Sequence, residues 1–164
     1  MKTILTLPLL FLSFNLLAAP ASCIAEAKRF TFHNESIIDH QTNLTWRRCS
    51  EGMMWNGKTC IGESTLMTQA EATERVIESG EHWRLPTIDE LYSLFTNPCT
   101  GEPTRHTLSD IRDMGENSAP YWSSTQVEDI QNFYYYVDLL HGYVDAHSGG
   151  FSLAVRLVRE SKPI

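Results

Sequence analysis

The sequence predicts a single α+β domain, ordered β–α–α–β and cross-linked by disulfides. Three observations predict it. Two capping boxes open apolar stripes of helical period in the middle of the chain. Alternating apolar and polar residues mark short strands before and after them. Four cysteines follow an N-terminal leader of export type. At 164 residues the chain suits one compact domain and is too short for two ordinary ones.

Composition narrows the function classes. Thirteen Lys and Arg stand against twenty Asp and Glu, for a formal charge of −7. Phosphate backbones are bound by Lys and Arg, so this balance argues against nucleic acid. Four Trp and an aromatic share of 10% argue against disorder.

Met1-Lys2-Thr3 is a short basic start, and Ile4 to Leu17 is apolar apart from Thr6, Pro8, Ser13 and Asn15. Small residues follow, and Ala19 and Ala21 fit an A-x-A cleavage site. Residues 1–21 therefore read as a signal peptide and 22–164 as the mature domain. The apolar run is too short to span a bilayer. The expected location is the periplasm or the medium. A lipid on Cys23 is the lesser alternative, because Pro20 stands where a lipoprotein signal carries Leu.

In an oxidising compartment Cys23, Cys49, Cys60 and Cys99 read as two disulfides. Cys49 and Cys60 flank a short loop and are paired with each other. That leaves Cys23 for Cys99. No C-x-x-C and no Cys/His spacing for zinc is present.

The elements follow in order. Phe30–Phe32, Ile37–Asp39 and Leu44–Cys49 read as strands, with a turn at Gln41-Thr42-Asn43. Residues 51–63 read as a loop. Thr68-Gln69-Ala70-Glu71 opens a helix to about Ser79, with Ala72, Val76 and Ile77 inward and Gly80 past its end. Thr87-Ile88-Asp89-Glu90 opens a second helix, with Leu91, Leu94 and Phe95 inward and Pro98 as its stop. Residues 97–119 lack any period and read as a long loop tied by Cys99. Three strands follow: Tyr121–Thr125, Phe133–Leu139, and Val144 with its neighbours. A last strand alternates over Leu153, Val155 and Leu157. The predicted core includes Leu91, Leu94, Val137, Val155 and Leu157.

Four segments in this order, IIDHQTNLTWRRCSEGMMWNGKTCIG, HWRLPTIDELYSL, YWSST and GYVDAHSGGFSLAVRLVR, resemble the Lcl C-terminal domain family over residues 30–159. WRLPT and VRLVR are also similar to the sulfatase-modifying domains, and both families are similar to C-type lectins. The resemblance implies a C-type-lectin-like fold, with two helices packed on twisted antiparallel strands and the terminal strands paired. It implies a bacterial protein, so the sequons at Asn34 and Asn43 are set aside. The family's name-giving member is an adhesin that binds sulfated glycans. The acidic balance here disfavours such ligands, which need a basic patch. A lectin calcium site uses Glu-Pro-Asn and Trp-Asn-Asp. Here Gly101-Glu102-Pro103-Thr104 and Trp122-Ser123-Ser124 stand instead, so calcium-dependent sugar binding is not expected. The sulfatase-modifying enzymes need a late cysteine pair, and every Cys here precedes residue 100.

Trp46, Trp55, Trp83 and Trp122 are assigned to packing. Arg84 and Arg156 are assigned to ion pairs or backbone carbonyls, with Asp39 and Glu90 as partners. No catalytic motif appears, and no cofactor or metal is expected. The best ligand candidate is the outer face of the C-terminal strands. Alternation puts Phe133, Tyr135, Val137 and Leu139 inward, and Tyr134, Tyr136 and Asp138 outward beside Tyr143, Asp145 and His147. Tyr is a rigid amphipathic contact residue. Arg105, His106 and Arg112 on the long loop complete the candidate set. The expected function is a non-catalytic module recognising a protein or a glycan. The alternative is a metal-dependent enzyme using Asp138, His141, Asp145 and His147, or a lipid-anchored structural component.

Overall fold

The computed structural model describes residues 23–80, 82–104 and 118–162. The predicted leader and the loop candidates Arg105, His106 and Arg112 lie outside the described residues. In chain order the elements are α1 (Glu26–Arg29), β1 (Phe30–Phe32), β2 (Ser36–Asp39), β3 (Leu44–Arg47), β4 (Met54–Trp55), β5 (Cys60–Ile61), α2 (Gln69–Ser79), α3 (Ile88–Phe95), β6 (Pro120–Gln126), β7 (Phe133–Asp138), β8 (Tyr143–Ser148) and β9 (Val158–Glu160). The mixed helix and antiparallel-sheet class is as predicted. One sheet runs β1-β2-β3-β9, a second β6-β7-β8, and β4 with β5 forms a small hairpin. The final strand pairs with β3, with Trp46 opposite Val158, rather than with the first strand.

Both helices start where their capping boxes place them. Thr68 and Thr87 each accept a bond from the amide three residues on, and Glu71 and Glu90 each accept one from the cap amide. Leu91 and Leu94 are buried under α3 and Phe95 is half-buried, as its stripe predicts. On α2 Ala72 is buried but Ile77 is 75% exposed, against expectation. Only about one residue per turn of this short helix meets the core, and Val76 is the second.

Two apolar clusters form the core. One joins Leu91, Leu94, Tyr121, Val137 and Leu139. The other joins Ala72, Trp83, Trp122, Val155 and Leu157. Neighbouring residues on β6 point into different clusters, Tyr121 into the first and Trp122 into the second. Leu153–Val158 does the same, with Ala154 and Val158 on one side and Leu153, Val155 and Leu157 on the other. This run is buried at every position. It was expected to be a strand; instead only Val158–Glu160 is one. Its backbone bonds scatter to Met67, Arg84, Arg47, Glu51, Pro120 and Trp122, so no single neighbour forms a ladder with it.

Both disulfides form as paired, Cys23 with Cys99 and Cys49 with Cys60. With Cys23 bonded to Cys99, no free thiol stands among the described cysteines. The charged residues take the expected partners in part: Arg84 pairs with Glu90 and Arg156 with backbone carbonyls, while Asp39 pairs with neither arginine. Arg84 grips Glu90 with two 2.7 Å bonds and also reaches Glu160. That bidentate pair holds the Glu90 carboxyl below its ordinary range, although burial opposes it. Asp39 instead binds Arg29, through Nε at 3.0 Å and Nη2 at 2.7 Å, with both side chains fully buried. Arg29 also donates to the Ser93 carbonyl at 2.8 Å, which ties α1 and β2 to α3.

Two stability outcomes follow from this packing. Leu94→Ala should cost about 2–5 kcal/mol in urea unfolding, because it opens a cavity beside Leu91 and Val137. Asp39→Asn strands the buried Arg29 guanidinium and should cost about 3–5 kcal/mol. A loss below about 1 kcal/mol in either variant would contradict the burial described.

Candidate functional site

The C-terminal sheet assembles most of the predicted face. Tyr136 lies opposite Trp122 on one side and Asp145 on the other, Tyr134 opposite His147, and Asp138 opposite Tyr143. These side chains share a face, as alternation requires. They do not share an exposure. Trp122 is fully buried and donates from its indole to the Met67 carbonyl at 2.7 Å. Tyr134 and Tyr136 set their rings edge-on against it, each at 6.5 Å. Both are half-buried and act as walls of the second cluster. Burial, with Asp145 and Asp138 nearby, pushes the Tyr136 phenol above its ordinary value, so it stays neutral.

Asp138, expected outward, does not face solvent. It is buried, and its Oδ1 accepts from the amides of Leu140 at 2.8 Å and of Ala119 and His141 at 3.2 Å. That carboxylate ties the β7–β8 turn. The turn also needs Gly142, whose φ is 76° and whose added Cβ would meet the Phe95 ring at 2.1 Å. Phe133, expected inward, is 36% exposed, and Tyr135 is half-buried. The first cluster reaches only Val137 and Leu139 at the far end of β7.

What remains open to solvent is β8 and its turn. Tyr143 is 68% exposed and stacks on His141 at 5.7 Å. Asp145 is exposed and accepts from the Ala146 amide. His147 is half-buried against Phe151, with ring centroids 4.0 Å apart. The alternative cluster of Asp138, His141, Asp145 and His147 is not assembled as a metal site. Among the described residues no three His, Cys, Asp or Glu side chains are placed to hold one.

Concave surface lies elsewhere, around the β4–β5 hairpin that the Cys49–Cys60 bond holds. Two clefts, of about 410 and about 650 Å³, share Glu35 and Trp55 on their walls. In the larger, the Arg48 guanidinium lies 3.4 Å from the Trp55 ring centre and 5.4 Å from that of Phe32. In the smaller, Glu51 lies 3.6 Å from Arg75, and Met53 and Met54 line the wall. Burial pushes the Glu51 carboxyl up, against the lowering influence of Arg47 and Arg75. A perturbed carboxyl in a cleft marks a functional candidate. The sequence does not announce this site, since residues 51–63 read as loop and Trp55 as packing. The available signal was a Met-Met-Trp run inside a disulfide-closed polar loop.

Glu51 gives a signed pH dependence. A carboxyl whose folded value is raised contributes stability below its unfolded value, 4.5, and loses it as pH rises through the folded one. At neutral pH its buried charge therefore costs stability. Glu51→Gln should raise the melting temperature by a few degrees at about pH 7 and give no gain at about pH 3. Thermal scans at the two pH values check this, and a lower melting temperature at neutral pH would contradict it.

No curated protein is similar enough to this chain to count as a match. The Lcl C-terminal domain is matched over residues 35–159, which take in β2 to β8, most of β9 and both capped helices, and leave β1 outside. The chain belongs to the Lcl C-terminal domain family.

Proposed function

We propose that this protein is an exported, non-catalytic recognition module of C-type-lectin-like fold, working in the periplasm or outside the cell and binding a protein or glycan. Two disulfides and the leader-like N-terminus support export. No helix among the described residues is long and apolar enough to cross a membrane. The single observation that carries the reading is the exposed Tyr143, stacked on His141 beside Asp145 on the outer strand of the second sheet. A large aromatic that contributes little to the core yet is held in place suits binding.

Charge favours a protein. From Met114 to Val155 the sequence contains no Lys or Arg, while Glu128, Asp129 and Asp145 are exposed. Such a surface repels sulfated glycans and complements a partner bearing Lys or Arg. The two tyrosines that alternation placed side by side now separate in role. Tyr143→Ala should leave the melting temperature nearly unchanged and weaken binding at least tenfold, about 1.4 kcal/mol. Tyr136→Ala should instead cost about 1–3 kcal/mol of stability, because it unpacks the edge of Trp122. Pull-down from envelope extract with wild-type protein and the Tyr143 variant supplies the readout. Equal capture by both would remove the proposed face.

A further inference from the structure

A groove walled by Phe32, Arg48 and Trp55 lies outside the C-terminal sheet that carries Tyr143. We propose that it binds the C-terminal carboxylate of a peptide.

The argument begins with how Arg48 is held. Its guanidinium lies over Trp55 and faces Phe32, and its Nη1 donates to the His33 carbonyl at 3.1 Å. Its backbone amide donates to the Glu35 carbonyl at 2.9 Å. The same turn closes on itself, from the His33 amide to the Ser36 carbonyl at 2.9 Å. The side chain is therefore fixed before any ligand arrives, which removes an ordering cost from binding. Stacking occupies the faces of a guanidinium and leaves its in-plane N–H donors for the edge. Such an edge matches a carboxylate bidentately.

The surroundings select a monoanion. Asn34 and Ser36 line the groove beside Arg48 and can bond a carboxylate or the amide next to it. Glu35 stands on the shared wall with its side chain 75% exposed, 3.9 Å from Arg47. That carboxylate repels any anion entering the groove, and a phosphate dianion or sulfate cluster more strongly than a single charge. A single carboxylate balances Arg48 alone.

The smaller cleft selects a peptide. Beyond Trp55 it presents Met53 and Met54 with both signs of charge, Arg75 against Glu51 and Glu78. Thioether side chains adapt to varied apolar partners. Paired opposite charges suit backbone amides and mixed side chains better than a run of sugar hydroxyls. Met54 is 69% exposed and its cross-strand partner Ile61 43%, so the hairpin adds apolar surface beside the cleft.

The test uses the folded, oxidised domain and backbone plus side-chain 15N spectra. The probes are N-acetylated tripeptides ending in Leu, Met, Phe or Ala, each as free acid and as C-terminal amide. A trigalacturonate and a heparin hexasaccharide are the sugar and sulfate arms. Free acids should shift the Arg48 Nε–H and Trp55 indole resonances, and the amides should bind at least about tenfold more weakly. Arg48→Lys should weaken free-acid binding about tenfold, and Tyr143→Ala should leave it unchanged. The comparison of acid with amide needs no variant, so it stands even where a substitution unfolds the domain. Equal binding of acids and amides would overturn the proposal. So would no shift with any free acid at about 10 mM, or binding of either saccharide in preference to every peptide. Loss of partner capture by Tyr143→Ala with acid binding intact separates this site from the face on β8.

Discussion

The fold depends on one constraint: the buried run Leu153–Val158 must find a partner for every backbone group it takes out of water. A ladder with one neighbour would satisfy half of them. Here the bonds go to several segments. Met67 pairs both ways with Leu153, Arg84 both ways with Val158, and the amides of Glu51 and Arg47 reach Val155 and Leu157. Trp122 donates to Ala154, and Ala154 to Pro120. The segment before α2, the segment before α3, the end of β3 and the start of β6 are thus pinned to one strip of chain. That strip also supplies apolar side chains to both clusters, which is why two small cores behave as one domain.

The same run places the groove. Arg156 is fully buried, and its guanidinium donates to the carbonyls of Arg47 and Arg48 and to the Ser50 hydroxyl. Among the described residues no carboxylate pairs with it. Carbonyl oxygens take the charge, and the Tyr121 ring lies 5.7 Å away. The Tyr121 hydroxyl and Ser50 hydroxyl share a 2.7 Å bond. The backbone just before Cys49 is therefore gripped from beneath by a core cation, and the Cys49–Cys60 bond anchors the hairpin next to it. Arg48 and Trp55 meet because their backbones are fixed by these separate means.

What the sequence reveals follows the range of the interaction that decides each feature. The two capping boxes, the α3 stripe and the turn at Asn43 are local, and each is where it was expected. The disulfides were legible because so few pairings of four cysteines exist. The face of β7 was half legible. Alternation correctly put Tyr134, Tyr136 and Asp138 together, but alternation says nothing about what lies over a face. Tyr134 and Tyr136 are drawn against the buried Trp122, and three backbone amides claim Asp138. The run Leu153–Val158 reads as a strand for the related reason that an irregular segment buried on both sides looks alternating when an arginine interrupts it. Asp39 was assigned to the wrong arginine because Arg29 lies on a one-turn helix that no period announces. The groove was illegible because it needs a β1–β2 turn, a strand end and a cross-linked hairpin to converge.

The two candidate surfaces are stabilised by opposite strategies, and that difference explains their chemistry. Tyr143 sits on a regular strand whose register is set by β7, so its exposure costs only the solvation of one ring. Substitution there changes contacts and leaves the frame intact. The groove stores unfavourable elements: a carboxyl pushed up by burial at Glu51, an exposed Met54–Ile61 pair, and Arg48 ordered between two rings. A marginally stable domain keeps such elements only where the surrounding frame over-determines them. Here the frame is the disulfide, the buried Arg156 and the backbone strip that carries it. The smooth face therefore suits a broad partner bound by complementarity, and the preordered groove suits a small charged group.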